Sequence, residues 1–140
     1  MIEELYKLAS QFRNALDQLE WSQMPDGFKD FPAGTCGNIS NILAEYLYEC
    51  GVTGVELVIG TNALHGSHAW LEISGIIVDI TADQFPGISA SVTVTRDHRW
   101  HSQFEENEGG RQAAGFSEED ADLREIYHQT VAFLHKPDPA

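Results

Sequence analysis

The sequence predicts an α+β domain in which helices pack on a mostly antiparallel sheet. Three observations carry this. Apolar residues recur every three or four positions near both ends of the 140-residue chain and around position 40. Between positions 51 and 95 the texture changes to short runs rich in Val, Ile and Thr, bounded by Gly, Asn or Pro. That same stretch holds four acids, Glu56, Glu72, Asp79 and Asp83, and no Lys or Arg, as expected of a sheet buried at the centre of a domain.

In chain order, Ile2, Leu5, Leu8, Ala9, Phe12, Ala15, Leu16 and Leu19 form one stripe, so residues 2–19 read as an amphipathic helix with Glu3 and Glu4 in its first turn. From Trp21 to Gly34 the periodicity fails and Pro and Gly mark a loop. A second helix begins at Cys36, with Ile39, Ile42, Leu43, Tyr46, Leu47 and Cys50 facing inward and Gly51 as its stop. Strands are expected over 55–59, 68–73, 76–81 and 88–95, with Ser74-Gly75 as a tight hairpin turn. Residues 105–115 are polar, glycine-rich and aperiodic, so a mobile loop is expected there. Ser117 opens a last helix, with Asp120 assisting, and Pro137 and Pro139 close it. One domain spans residues 1–140, without repeat or linker.

Composition bounds the function. Acids outnumber bases 22 to 8, for a formal charge of −14. Nucleic acid and anionic membrane surfaces are therefore not expected partners, since both demand clustered Lys and Arg. No apolar run reaches membrane-spanning length, and the first residues lack a signal peptide's pattern, so a cytoplasmic location is expected. The two cysteines, Cys36 and Cys50, fall about 21 Å apart along one helix, beyond disulfide reach. Both thiols are expected to be free, with Cys50 a small buried apolar residue.

Chemistry concentrates in an ordered set of three residues. Cys36 starts a helix, where unpaired N–H groups and the dipole favour a thiolate and can bind an oxyanion. A two-residue turn at Ser74-Gly75 pairs Ile73 with Ile76, which puts Asp79 opposite Trp70 and makes His68 and Asp79 diagonal neighbours on one face. A carboxylate there would fix the imidazole's tautomer while the other ring nitrogen takes the thiol proton. As groups lining a cleft, Cys36 and Asp79 should matter little to stability. Trp70 is read as core or as a wall of the cleft, Gln84 as a hydrogen-bonding residue at the substrate site, and Asp83 as turn chemistry. Glu72, on the same face as His68, is open between structural pairing and site electrostatics. The pairs His65/His68 and His98/His101 have metal-like spacing, but on a strand such spacing sends side chains to opposite faces. Neither a metal nor another cofactor is expected.

The strings Gly34-Thr-Cys36-Gly, His68-Ala-Trp70-Leu-Glu72 and Asp79-Ile-Thr81 resemble the transglutaminase-like branch of the papain-like cysteine enzymes, over about residues 31–85. Within it, the small size and the His-Ala-Trp element look most like bacterial peptidases that process lasso-peptide precursors. The resemblance implies the transglutaminase-like papain fold, with Cys36 as nucleophile, His68 as base and Asp79 as orienting acid. The chain lacks an acidic calcium loop, and Asp30 stands where papain-type peptidases place a Gln six residues before the nucleophile. The function expected is cysteine-dependent acyl transfer at an amide of a peptide or protein, as peptidase, deamidase or amidase. The alternative is a catalytically inactive acidic binding protein, of immunity or adaptor type, docked on a basic partner.

Overall fold

A computed structural model describes residues 1–134. Among them it is α+β, with helices α1 (Ile2–Leu16), α2 (Cys36–Glu49) and α3 (Ala121–Leu134). The strands are β1 (Glu56–Asn62), β2 (Gly66–Ile73), β3 (Ile76–Asp79), β4 (Thr93–Thr95) and β5 (Glu105–Ala113). They form one antiparallel sheet in the order β4-β3-β2-β1-β5. Ser74 and Gly75 both take positive φ, 50° and 80°, as a two-residue hairpin turn requires, and Ile73 pairs with Ile76 in the expected register.

Alternation along the strands sends side chains to two separate cores. Leu57, Ala69, Leu71, Ile73, Ile76 and Val78 pack with the three helices. Val58, Trp70 and Ile77 face the other way, against Phe85 and Phe104 from the connecting segments, with Ile88 and Trp100 at the margin. Burial on both faces accounts for the absence of Lys and Arg from this part of the chain. Gly60 makes the second core possible: a Cβ there would sit 2.9 Å from the Cβ of Phe104.

Arg13 joins the layers. Buried in α1, it donates to both carboxylate oxygens of Asp83 at 2.9 Å, to the carbonyls of Ile80 and Ser91, and to Asp17, with its guanidinium over the Phe31 ring. Asp83, read from the sequence as turn chemistry, is thus an ion-pair partner that fastens the segment after β3 to the first helix.

Several expectations are corrected. Residues 105–113 form β5 rather than an irregular loop. Their side chains are almost all exposed, as suits an edge strand, and the glycines serve a bulge opposite β1, where a Cβ on Gly110 would lie 2.5 Å from the Ile59 carbonyl oxygen. The strand expected over 88–95 shortens to β4. The last helix starts after Asp120, whose carboxylate accepts from the Leu123 amide at 3.1 Å, while Ser117 caps only the preceding turn. Cys50 is exposed at the end of α2 instead of buried, and both cysteines are free. Pro137 and Pro139 lie outside the described residues.

Replacing Arg13 by Met should lower unfolding stability by about 3 kcal/mol, because Asp83 and two carbonyls lose their donor in a largely dry setting. Urea denaturation measures this, and a change under about 0.5 kcal/mol would show that the guanidinium does not join the layers.

Candidate functional site

The site is built where α2 begins and where β2 and β3 meet. Hairpin register sets His68 and Asp79 diagonally on the face opposite the helices, and Nε2 of His68 lies 2.7 Å from Oδ2 of Asp79. His68 is 0% exposed and Asp79 1%. The other carboxylate oxygen of Asp79 accepts from the Thr81 amide at 3.0 Å. A third donor was not singled out by sequence reasoning: Nε2 of His101 reaches the same Oδ2, also at 2.7 Å, from a 3-10 turn over His101–Gln103. Asp79 is therefore a buried carboxylate met by two imidazoles and one amide.

The electrostatics follow from these contacts. For Asp79, burial is the largest influence and raises the pKa, but hydrogen bonds from His101 and His68, together with their charge, outweigh it and hold the carboxyl well below its usual range. For His68, burial again opposes the charged form. Hydrogen bonding and charge from Asp79 and from Cys36 overcome it and push the imidazole up to about 9. At neutral pH the pair is accordingly imidazolium and carboxylate.

Cys36 is half-buried at the first position of α2. It is among the groups that raise His68, whose Nδ1, the nitrogen left over from Asp79, is buried without a hydrogen-bond partner. The hydroxyl of Thr35 donates to the Pro32 carbonyl at 3.0 Å and does not cap the helix, so the first-turn amides of α2 lack a side-chain acceptor.

The remaining expected site residues fall into place around this line. Gln84 bridges: its Nε2 donates to the Thr81 carbonyl at 2.9 Å, and its Oε1 accepts from the Gly34 amide at 3.4 Å, tying the approach to Cys36 to the end of β3. Trp70 is 3% exposed and does not wall an open cleft. It lies behind the imidazoles, edge-on to His101 at 4.8 Å, with its indole N–H donated to Glu72. Glu72 also pairs with Arg111 at 3.2 Å, which makes it a structural partner of β5. Phe85, Trp100 and Phe104 surround the His68 ring at centroid distances of 4.9, 5.9 and 5.5 Å, and no sequence signal had marked them. The His98/His101 spacing was the one available hint for His101.

His68, Asp79 and His101 do present three ligand atoms within 4.8 Å of one another. Their present use is different. Both Nε2 atoms sit at hydrogen-bond distance from one carboxylate oxygen, and a cation held there would have to displace the proton that each ring shares with Asp79. The donor set therefore fits a hydrogen-bonded chain better than a metal. Comparison with protein-family models, curated proteins and solved structures found no match. Among the described residues no helix is long and apolar enough to cross a membrane.

Asp79 is buried rather than lining a cleft, and its replacement is accordingly expected to affect stability. Asp79→Asn should destabilise the fold by about 3 kcal/mol at pH 6, as loss of a buried charge partner does. The pH dependence has a definite sign. His68, raised, contributes stability that is complete below its ordinary value of 6.5 and is lost as pH rises through about 9. Asp79, lowered, contributes stability that is complete above 3.8 and is lost on further acidification. The melting-temperature gap between wild type and Asp79→Asn should thus be widest between these limits and narrow towards pH 9. A gap constant from pH 6 to 9.5 would contradict the charged pair.

Proposed function

We propose that the chain is a cysteine-dependent acyl-transfer enzyme acting on an amide of a peptide or protein, built on the transglutaminase-like papain plan that its Cys36, His68 and Asp79 strings resemble. The observation that supports this best is the direction of the His68 ring: Nε2 is held by Asp79, which leaves Nδ1 buried and without a partner, the nitrogen a thiol would need. In this reading the Cys36 sulfur attacks the amide carbon, and its proton resides on His68 Nδ1. The carbon–sulfur bond forms as the carbonyl π pair moves to oxygen, where the uncapped first-turn amides of α2 can receive the charge. Collapse breaks the carbon–nitrogen bond, and His68 gives its proton to the departing amine or ammonia. Water then attacks the thioester, His68 takes its proton, and the carboxylic acid and the thiol are regenerated. Asp79 stays ionised throughout, orienting the ring and balancing the imidazolium. Hydrolysis of a peptide bond and deamidation of a glutamine share every step. With another amine in place of water the last step becomes transamidation.

The −14 charge favours a second reading, an acidic binding protein that docks on a basic partner and retains the fold without turnover.

Thiol reactivity separates the two. Cys50 is the more exposed cysteine, so accessibility alone would make it react first with iodoacetamide. The enzyme reading expects Cys36 to react at least about tenfold faster than Cys50 at pH 7, read by peptide mass spectrometry, and His68→Gln to abolish that advantage. Faster reaction at Cys50 would favour the binding protein.

A further inference from the structure

Two imidazoles on a single carboxylate oxygen is one more than a thiol–imidazole–carboxylate line requires. His101 is 3% exposed, is carried by a segment unrelated to the β2–β3 hairpin, and still meets Oδ2 of Asp79 at 2.7 Å. Its ring is packed edge-on between Trp70 and Trp100, each 4.8 Å away between centroids, so its direction is set by packing as well as by the carboxylate. Nδ1 of His101 has no partner. The imidazole thus spends its only hydrogen bond on Asp79.

We infer that His101 is a positioning residue for the reaction proposed above: by donating to Asp79 Oδ2 it fixes the carboxylate and divides its charge, and so limits how firmly Asp79 holds the proton on His68. The inference rests on the cysteine-enzyme reading and deepens it. With Asp79 ionised, both ring nitrogens facing it must carry protons, so His101 is the tautomer protonated at Nε2. A carboxylate oxygen that accepts two charge-assisted bonds gives less of its charge to each than one that accepts a single bond. Asp79 alone would bind the His68 proton more tightly and release it less readily to the leaving amine. The ionisable groups that act on Asp79 are His68 from β2 and His101, and those that act on His68 are Asp79 from β3 and Cys36 from α2. Asp97, which lines a cavity of about 270 Å³ together with His101, is exposed and paired with Arg99.

The test compares wild type, His101→Phe, which keeps a ring without a donor, and His101→Gln, whose amide nitrogen can replace Nε2. Cys36 is alkylated with iodoacetate from pH 5 to 10. This anionic reagent is drawn by the imidazolium, so its rate falls on the alkaline side when His68 loses its proton. His101→Phe should raise that alkaline midpoint by about half a pH unit or more, and His101→Gln should bring it back to the wild-type value. A purely structural residue would alter melting temperature and leave the midpoint alone. An unchanged midpoint with Cys36 still more reactive than Cys50 overturns the role of His101 and leaves the enzyme reading standing. A wild-type Cys36 less reactive than Cys50 overturns the enzyme reading itself. Should His101→Phe not fold, long-range proton–nitrogen spectra of the wild type decide. A proton on Nε2 of His101 supports the inference, whereas a proton on Nδ1 alone, or one equivalent of added zinc bound through Nε2, overturns it.

Discussion

A carboxylate that stays ionised at 1% exposure is among the costliest things a fold can contain, and Asp79 dictates much of what surrounds it. Its cost is offset only if every neighbouring donor is in place. The Thr81 amide comes with the local turn, His68 comes from the adjacent strand, and His101 must be brought from more than twenty positions further along the chain. That last demand explains why the connection after β4 folds back over the sheet instead of leaving it exposed. Phe85, Trp100 and Phe104 travel with the same connecting segments and exclude water from the pair. Arg13 fastens the same end of β3 from the other side, through Ile80 and Asp83.

Layering and chemistry are thereby coupled. The helices cover one face of the sheet and the aromatic segments the other, so the His68 ring is buried beneath the second layer while α2 belongs to the first. Cys36 stands at the very start of its helix, and Gln84 laces the loop before it to the segment that follows β3. The result is asymmetric exposure: the cysteine is half-buried, whereas solvent does not touch the imidazole. Such an arrangement protects the proton from bulk water and strengthens each electrostatic contact.

Much of this was legible in the chain, for identifiable reasons. Hairpin register follows from a two-residue turn, so the His68–Asp79 contact could be deduced without the fold. Helical periodicity with a clean break before Cys36 located the start of α2. What escaped were features whose signals are nonlocal. His101 belongs to no periodic segment, and its meaning exists only once Asp79 is known to be buried. The polar strand β5 shows no alternation because its side chains face water on an edge, and its glycines, read as signs of disorder, serve a bulge. Cys50 fell on the apolar stripe of α2, but the helix end lifts it out of the core. Nothing nearby in sequence announces Asp83 as the partner of Arg13.

Everything above turns on Asp79 holding His68 as an imidazolium at neutral pH. Proton NMR titration of the wild-type protein tests it most directly, with the His68 ring signals assigned by their loss in His68→Gln. No change in these signals is expected between pH 6 and 7.5, with a midpoint near 9. A midpoint at or below the ordinary 6.5 would mean a neutral ring and a different role for the buried carboxylate.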